Sequence, residues 1–300
     1  MMNINGVINV LKPPGITSSD VVVSLRRKLG IKKVGHTGTL DPAAAGVLPI
    51  CIGKATKLAE YITSEIKVYR AEMILGVETD TLDADGQVVA YSENLPDAEK
   101  IYQTFKQYQG RIKQQPPMYS AIKHRGKPLH ELARKGEHID IPYREVVVFE
   151  NNIIRITPPN RVFFEVKCSK GTYIRSLCRD MGRTMGCGAY LSFLLRIRNG
   201  IFSIDNSWTL DEIDTYIASG ELDKIVIPMD QSIPHFGAIY LEDSVFDKIT
   251  NGNRISSKYI QKTKNINEPS NLSRIYCNNQ FIGIGFINEQ NILQMKKVLL

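Results

Sequence analysis

Asp41 is the first residue of this 300-residue chain whose surroundings suggest chemistry. It belongs to the polar loop 35–42, Gly-His-Thr-Gly-Thr-Leu-Asp-Pro, whose two glycines allow the backbone to approach a ligand closely. A loop carboxylate can serve as a nucleophile or a base. Since a free carboxylate has a pKa near ~3.9, it needs orientation more than activation at pH 7. A structural interpretation stays open, because Asp before Pro also suits the N-cap and N1 positions of a helix.

A second segment, residues 168–175, combines a glycine, an aromatic ring and a cation. Gly171 ends a predicted strand and Thr172 is suited to cap the helix that follows. Tyr173 and Arg175 then point from the first helical turn towards the end of the strand. The arginine is expected to pair with a carboxylate or a phosphate, and the ring to stack on a base. The alternative is a core tyrosine beside a solvated arginine.

A third segment, residues 67–70, is predicted to be part of a strand with the sequence Lys-Val-Tyr-Arg. Alternation along a strand places Lys67 and Tyr69 on one face and Arg70 on the other. Taken alone, this pattern indicates no more than an aromatic residue that packs across strands. None of the three segments decides a function without the others.

The cysteines and histidines predict neither a disulfide framework nor a metal site. The five cysteines are odd in number, scattered and without a C-x-x-C pair, which is typical of reduced thiols in a cytosol. His124, His130 and His138 are spaced six and eight residues apart, so no two of them are i, i+4 neighbours on a helix. We therefore expect no metal ion in this protein.

The elements that must position these residues predict an α+β fold with much antiparallel sheet. Ser18 or Ser19 caps the first helix, which ends at Gly30, and Thr209 caps the last helix. An acidic turn at 78–86 holds Asp80, Asp83 and Asp85, which we expect to be solvated. The predicted strands are 6–10, 67–76, 86–90, 146–156, 161–169 and 190–198, and the predicted helices are 18–29, 96–108, 172–185 and 210–217.

The character of the chain changes near residue 233. Short strands and tight turns follow, such as 277–280 and 288–291, and they predict a small β-barrel. We therefore expect two domains, 1–232 and 233–300, of which the first has a mixed, largely antiparallel sheet with flanking helices. The segment at about 114–136 is basic and broken by Pro and Gly, which predicts an insertion that lies over a surface.

Charge is distributed unevenly along the chain, whose net charge is +7. Lys and Arg outnumber the acids by eight to two in residues 1–57, nine to four in 101–149 and seven to two in 165–200. Residues 58–100 show the reverse, with three basic and ten acidic residues. Three basic blocks separated by an acidic one indicate a shaped groove for a polyanion.

Composition excludes several protein classes. Hydrophobic residues make up 43% and charged residues 23%, which is typical of a globular domain and not of a disordered or fibrous chain. No apolar run approaches the ~18 residues of a membrane span. The first eleven residues lack the basic region and apolar core of a secretory signal. We expect a cytoplasmic protein without a membrane partner.

Taken in order, these motifs resemble those of the bacterial tRNA pseudouridine-55 synthases, the TruB family. The resemblance covers nearly the whole chain, and the region 233–300 is similar to the PUA-type RNA-binding domain of many members. It implies the pseudouridine synthase fold and the isomerisation of uridine in the T-loop of tRNA without a cofactor. We expect a monomer that binds the T-arm. The matching segments are 12–22, 33–42, 53–57, 79–81, 83–86, 115–123 and 170–175, together with Tyr69 and Gly76.

The resemblance also implies roles for seven residues. Asp41 corresponds to the catalytic aspartate, and Arg175 to its ion-pair partner. Tyr69 stacks on the target base, with its hydroxyl near the carbon that must lose a proton. His36, Tyr173 and Leu194 line the base pocket. Lys12, counted with them among the substrate-binding residues, supports the loop beneath the motif. The chain departs from the family pattern at Ala45, His130 and Leu195, where Thr, Tyr and Arg are usual.

The implied reaction breaks the N1–C1′ bond, turns the uracil and rejoins it through C5. Asp41 adds to C6 or to C1′, stabilises the sugar cation or acts through a glycal, and the sequence does not choose among these routes. Two other classes stay open. A noncatalytic RNA-binding protein or tRNA folding chaperone would not need Asp41, Tyr69 and Arg175. A glycoside hydrolase uses a pair of acids, and no second acid accompanies Asp41 in the matched motifs.

Overall fold

The computed structural model describes residues 4–63, 66–120, 122–124, 126–133, 135–137, 139–266, 268 and 271–300. Its fold is α+β, as expected, and its largest element is a ten-stranded sheet. The strands before residue 230 are β1 (Gly6–Lys12), β2 (Val34–His36), β3 (Ala45–Ile52), β4 (Ile66–Leu75), β5 (Val77–Thr79), β6 (Val88–Tyr91), β7 (Gly110–Gln114), β8 (Lys123–His124), β9 (Lys127–Pro128), β10 (Arg144–Thr157), β11 (Arg161–Ser169), β12 (Ala189–Asn199), β13 (Phe202–Ser203) and β14 (Ile227–Pro228).

The large sheet has the order β14-β1-β3-β12-β4-β11-β10-β7, with β2 paired to β3 and β13 paired to β12. Its pairings are antiparallel except for the one between β3 and β12, which places Leu195 opposite Ala45 and Arg196 opposite Gly46. This parallel contact brings the chain just after Asp41 beside the middle of β12. The prediction of a mixed, largely antiparallel sheet is therefore confirmed.

Local capping sets the ends of the main helices. Thr17, one residue earlier than predicted, caps the first helix and forms a capping box with Asp20, while Gly30 ends it in the left-handed conformation. Thr209 caps the sixth helix as expected. The helices are α1 (Ser18–Leu29), α2 (Ala59–Ile62), α3 (Ala98–Gln107), α4 (Leu129–Ala133), α5 (Ile174–Met185), α6 (Leu210–Ala218) and α7 (Phe246–Thr250).

Strands β2 and β3 were not predicted from the sequence, and no helix begins at Asp41. The Asp41 carbonyl accepts the Ala44 N–H at 3.1 Å in a turn, and β3 begins at the next residue. The capping interpretation of Asp41 and Pro42 is therefore wrong. Strand β3 is a nearly continuous apolar run that contains Pro49, so it shows neither the alternation of a half-buried strand nor the usual composition of a central one.

The main core lies between the large sheet and the helices α1, α3, α5 and α6. The apolar stripes of α1 and α5 bury Leu25 and Leu177, which pack in one cluster with Leu48, Met73 and Phe164 of the sheet. This packing holds β3, β4 and α5 against one another. It therefore gives the loop before β3 and the start of α5 fixed positions in space.

The C-terminal residues form a separate six-stranded sheet, a half-barrel in which β15 and β18 are parallel. Asn278 and Asn279, both with positive φ, form the tight turn predicted at 277–280. Ile233, Ile284 and Leu299 of this region share an apolar cluster with the large sheet. The strands are β15 (Gly237–Leu241), β16 (Ile255–Ser256), β17 (Ile260–Lys264), β18 (Ser273–Cys277), β19 (Gln280–Ile287) and β20 (Ile292–Val298).

The basic segment predicted as an insertion follows directly from β7. It contains the hairpin of β8 and β9 and helix α4, and its Leu129 and Leu132 form a small apolar cluster with Ile141, which follows the segment. His130 lies in α4, whereas Ala121, Arg125, Arg134 and His138 lie outside the described residues. In the described part of the chain, no helix is long and apolar enough to cross a membrane.

Candidate active site

A cavity of about 290 Å³ opens where the loop before β3, strands β4 and β12 and the start of α5 meet. Four of the residues singled out by the sequence analysis as catalytic or base-contacting lie on it together with Arg175, although they are far apart in the chain. Basic side chains to which the sequence assigned no role, Lys67, Lys170 and Arg196, also line the cavity. The lining includes the apolar Leu194 and the following charged and aromatic residues: Asp41, Lys67, Tyr69, Lys170, Tyr173, Arg175 and Arg196.

Asp41 and Arg175 form an ion pair at the edge of this cavity. Arg175 Nη2 lies 3.0 Å from Asp41 Oδ2, and the arginine side chain is only 6% exposed whereas the aspartate is 40% exposed. The guanidinium thus fixes one carboxylate oxygen while the carboxylate remains accessible to a ligand. Desolvation by the surrounding concave surface raises the pKa of Asp41, and the charge of Arg175 opposes this rise.

Arg175 is itself held by three further groups. It donates to the backbone carbonyls of Tyr119 at 2.9 Å and Thr81 at 3.2 Å, and its Nη1 lies 3.2 Å from Asp83 Oδ2. The Asp83 side chain is 19% exposed and accepts a hydrogen bond from the Thr81 hydroxyl at 2.5 Å. The expectation that Asp83 is solvated is therefore wrong, because the acidic turn folds onto the N-terminus of α5. A second acid does accompany Asp41, and both carboxylates bind the same guanidinium.

Replacing Asp83 with asparagine is expected to reduce activity about tenfold. Arg175 loses its ion pair with Asp83, so it holds the Asp41 carboxylate in a less fixed orientation. The control is Asp80→Asn, which makes the same charge change in the same turn at an exposed side chain that accepts a hydrogen bond from the Gln87 N–H at 2.8 Å. Single-turnover rates on saturated enzyme check the difference. Equal rates for the two variants would exclude a positioning role for Asp83.

Tyr69 lies on β4 with its side chain towards the cavity. It is 6% exposed, and burial raises the pKa of its hydroxyl to about 12, although the nearby Arg196 partly opposes this rise. Lys67 is on the same face of the strand, as alternation predicted, and burial lowers its pKa to about 8. Arg70 points to the other face, where it pairs with Glu165 at 3.1 Å.

Tyr173 lines the cavity, and its backbone is held there by two hydrogen bonds to the side chain of Gln114 at the end of β7. The Tyr173 N–H donates to Gln114 Oε1 at 2.7 Å, and Gln114 Nε2 donates to the Tyr173 carbonyl at 3.1 Å. Helix α5 therefore begins at Ile174 without a side-chain cap, two residues later than predicted. Leu194 on β12 is the apolar part of the opening.

The structure does not bring His36 and Lys12 into the cavity that holds Tyr69. His36 lines an adjoining cavity of about 470 Å³ that also reaches Asp41, and burial lowers its pKa. Lys12 is buried beneath the loop, where its Nζ donates to the carbonyls of Pro13, Ile16 and Pro42 at 2.8, 2.7 and 3.1 Å. Burial lowers the pKa of Lys12 to about 8. Its position fits support of the loop and not contact with a base.

Arg196 is a site residue that the sequence analysis did not identify. It lies on β12 two residues after Leu194, so it shares the cavity face with Leu194, and it lies directly opposite Tyr69 of β4. Its Nη atoms donate to the carbonyls of Gly38 and Thr39, shortly before Asp41. The available signal was a charged residue within an otherwise apolar stretch of strand, which is rare unless the charge has a partner.

Gly46 permits the close packing of β3 on the backbone of Arg196. A Cβ at this position would lie 2.2 Å from the Arg196 carbonyl oxygen, and φ is +116°. We expect Gly46→Ala to lower the free energy of unfolding by about 2–4 kcal/mol through strain and overpacking. Gly35→Ala is the control, because a Cβ there meets no atom within 4 Å, and its effect should stay below about 1 kcal/mol. Denaturant titration of both variants measures this, and equal values would contradict it.

Two of the three departures from the family pattern are neighbours in the structure. Leu195 pairs directly with Ala45 across the parallel contact between β12 and β3. A substitution at one position therefore changes the surroundings of the other, so the two departures form one local change in packing.

Within the described residues, no group of three or more His, Cys, Asp or Glu side chains is arranged to hold a metal ion.

Three family models match consecutive parts of the chain. Residues 26–174 match the N-terminal domain of the TruB family pseudouridylate synthases. Residues 175–233 match the C-terminal domain of tRNA pseudouridylate synthase B, and residues 237–299 match the C-terminal region of pseudouridine synthase II TruB.

Whole proteins give the same result. The chain is 45% identical over 297 residues to a protein of Alkaliphilus oremlandii named tRNA pseudouridine synthase B, covering 98% of this chain and 97% of that one. A protein of the same name from Caldanaerobacter subterraneus subsp. tengcongensis is 44% identical, at 97% and 98% coverage. Among solved structures, an H/ACA RNP bound to a substrate RNA containing 2′-deoxyuridine has a TM-score of 0.76 and 26% identity, and a Cbf5-Nop10-Gar1 complex has 0.75 and 28%; each covers 98% of this chain and 85% of the solved chain.

Proposed function

Because the chain belongs to the TruB family of pseudouridylate synthases, we propose that it isomerises uridine to pseudouridine at position 55 in the T-loop of tRNA. The single observation that carries this proposal is the ion pair between Asp41 and Arg175 at a cavity that also contains Tyr69. A partly exposed carboxylate, fixed by a buried guanidinium and beside an aromatic ring, is what an isomerisation at a flipped nucleoside needs.

Asp41 is the proposed catalytic residue. Its carboxylate attacks C6 or C1′ of the nucleoside, supports the sugar cation or removes the C2′ proton. Arg175 holds the carboxylate in its ionised form and in one orientation, because the guanidinium is buried and has charged and carbonyl partners on several sides. The reaction rearranges bonds within the nucleoside and has no net redox change, so we propose that no cofactor takes part.

Tyr69 and Tyr173 are proposed to bind the uracil after it leaves its stack. Removing a base from its stack costs a few kcal/mol, and stacking on an aromatic side chain recovers about 1–3 kcal/mol. Leu194 supplies an apolar contact at the opening of the cavity. His36 reaches the neighbouring cavity, where we propose that it contacts the nucleotides next to the flipped one.

The tRNA is proposed to bind to the basic face around this opening. Lys170 lines the cavity and is exposed. Arg111, Lys113 and Arg144 are exposed on the paired strands β7 and β10, close to the start of the proposed insertion. Such charges contact phosphates and give affinity without reading sequence. We propose that the T-arm binds here, and that the protein acts as a monomer in the cytoplasm.

We retain the division into domains at 1–232 and 233–300 as a proposal, with a PUA-like RNA-binding role for the second. The large sheet ends with β14 and the half-barrel begins with β15, which supports this boundary. The shared apolar cluster of Val47, Leu58, Ile284 and Leu299 joins the two parts. Removal of the half-barrel would expose this cluster, so the full chain is the right protein for assays.

The test is an incubation of the full chain with unmodified tRNA, followed by nucleoside analysis and mapping of the modified position. We expect pseudouridine at position 55 and no free uracil. Free uracil would indicate a glycoside hydrolase. Unchanged nucleosides, with tRNA bound or its folding accelerated, would indicate a noncatalytic RNA-binding protein or a folding chaperone. Pseudouridine at another position would overturn the T-loop assignment and leave the reaction in place.

A further inference from the structure

Arg196 is a buried cation whose hydrogen-bond partners are neutral. Only 1% of this residue is exposed. Its guanidinium donates to the carbonyls of Val47 at 2.8 Å, Gly38 at 3.1 Å and Thr39 at 3.4 Å, and the residue lies opposite Tyr69 in the pairing of β12 with β4. Among the described residues, no carboxylate forms an ion pair with it. The desolvation cost of this charge is therefore not offset by an opposite charge within that part of the chain.

The positive charge of Arg196 acts on its neighbours. Burial is the main reason that the pKa values of Lys12, His36 and Lys67 are lowered, and the charge of Arg196 lowers each of them further. Asp41 lines the same cavity, but the guanidinium of Arg175 already pairs with it. The cavity thus contains one compensated charge pair and a second guanidinium that has no such compensation.

Every route proposed for Asp41 places a negative charge on the uracil. If the carboxylate adds to C6, the electron pair of the C5–C6 double bond moves through C5 to O4 and forms an enolate. If it adds to C1′, removes the C2′ proton or supports a sugar cation, the N1–C1′ bond breaks and its electron pair leaves on the uracil. The charge then spreads over N1, O2 and O4 of a uracil anion.

We propose that Arg196 stabilises the negative charge that develops on the uracil during the rearrangement. This inference rests on the proposed function, and it assigns to Arg196 a role complementary to that of Arg175. Arg175 compensates the carboxylate before the reaction, and Arg196 compensates the base once charge has moved onto it. A cation that is already desolvated and fixed needs no reorganisation when the charge appears, so it acts more strongly than it would in water.

The charge is removed when the base rejoins the sugar. The C5 electron pair of the uracil forms the bond to C1′. Asp41 becomes a free carboxylate again in every route: it leaves C1′ as this bond forms, it leaves C6 when loss of the C5 proton restores the C5–C6 double bond, or it returns its proton to C2′ in the glycal route. The C5 proton is then lost and N1 takes up a proton, which completes pseudouridine. Arg196 therefore contributes to the steps between bond breaking and bond formation and not to the binding of uridine, and such an interaction raises the rate without tightening substrate binding.

The test compares tRNA that carries uridine at the target position with tRNA that carries 5-fluorouridine there. Fluorine at C5 withdraws electrons and stabilises a negative charge on the ring without help from the protein. Loss of the starting nucleoside is measured in single turnovers on saturated enzyme. We expect Arg196→Gln, which keeps hydrogen-bond donors but removes the charge, to slow uridine conversion about 100-fold. Its effect on 5-fluorouridine is expected to be roughly tenfold smaller, because less stabilisation is needed from the protein.

Two further variants separate charge from positioning. Arg196→Lys keeps the charge with fewer donors, so it should slow both substrates by the same factor and less than Arg196→Gln slows uridine. Ser18→Ala loosens the same loop without a charge change, because Ser18 Oγ accepts the Leu40 N–H at 2.8 Å and donates to the Leu40 carbonyl at 3.0 Å. It should also slow both substrates equally.

The inference is overturned if Arg196→Gln slows both substrates by one factor, since Arg196 would then only position the loop and Tyr69. A failure of the wild-type protein to form pseudouridine would instead reject the proposed function. If Arg196→Gln does not fold, Arg196→Lys decides the matter. A ratio of the uridine rate to the 5-fluorouridine rate that differs between Arg196→Lys and wild type would contradict the role of charge. The same ratio as in wild type, with the uridine rate largely retained, supports that role.

Discussion

Pseudouridine formation is expected to fall at least about a thousandfold in the Asp41→Asn variant, while its affinity for tRNA stays within a few-fold of wild type. The carboxamide has nearly the shape of the carboxylate, but it lacks the charge and the nucleophilic oxygen that every proposed route requires. Binding persists because it depends on the basic face and on the aromatic residues of the cavity. Single-turnover nucleoside analysis and filter binding measure the two quantities.

Turnover by Asp41→Asn above roughly a thousandth of the wild-type rate would reject Asp41 as the essential group. The Asp80→Asn variant is again the matched control, because it makes the same chemical change at an exposed carboxylate near Gln87. Its activity should stay near that of wild type. A similar loss in both variants would indicate a general effect of charge on tRNA binding or folding.

The pH dependence of the rate gives an independent check on Asp41. The carboxylate must be ionised to react, and desolvation raises the pKa of Asp41 above its usual value near 3.8. The single-turnover rate should therefore fall as the pH decreases through this raised pKa, with a midpoint above 3.8. A midpoint at or below that value would show that the charge of Arg175 outweighs desolvation when tRNA is bound.

Substitutions of Tyr69 by Phe and by Leu are expected to differ in kind. Phe keeps the stacking face and removes the hydroxyl that we expect near C5, so tRNA binding stays normal while the reaction stalls after the glycosidic bond is broken. Leu also removes the ring and weakens capture of the flipped base by about 1–3 kcal/mol. Release of tritium from C5 of labelled tRNA, followed in single turnovers, measures the proton-transfer step.

A Phe variant that releases tritium at the wild-type rate would limit Tyr69 to stacking. If Tyr69 serves only for packing across strands, Phe would be nearly silent and Leu would mainly lower the melting temperature. Tyr102→Phe provides the control, since Tyr102 is exposed on α3, outside the lining of the cavity.

Local features of the fold could be predicted from the sequence. The helix that ends at Gly30, the paired strands β10 and β11 and the turn at Asn278 and Asn279 follow from capping, alternation and turn propensity. Each of these signals acts over a few residues, so a pattern in the sequence contains it entirely. Strand β3 was missed because an apolar run that contains Pro49 has no period to detect.

The candidate site was likewise predictable from the sequence only in part. The residue types and motifs of the sequence by themselves determined that Asp41, Tyr69, Tyr173 and Arg175 are the residues to consider, together with the class of chemistry they suggest. Only the tertiary structure decided that Asp83 shares Arg175 with Asp41, and that His36 lines an adjoining cavity and not the one that holds Tyr69.

The role of Arg196 likewise depends on the tertiary structure alone. Its carbonyl partners lie on the loop before Asp41 and on β3, and Tyr69 lies opposite it on β4. The parallel pairing of β3 with β12, and the position of β4 on the other side of β12, bring these groups to it. Ion pairs and buried charges depend on distances in space, which packing of the core sets, and the order of residues along a chain does not contain those distances. The sequence determined which groups were available, and the packing of the sheet against α1 and α5 decided which charges meet.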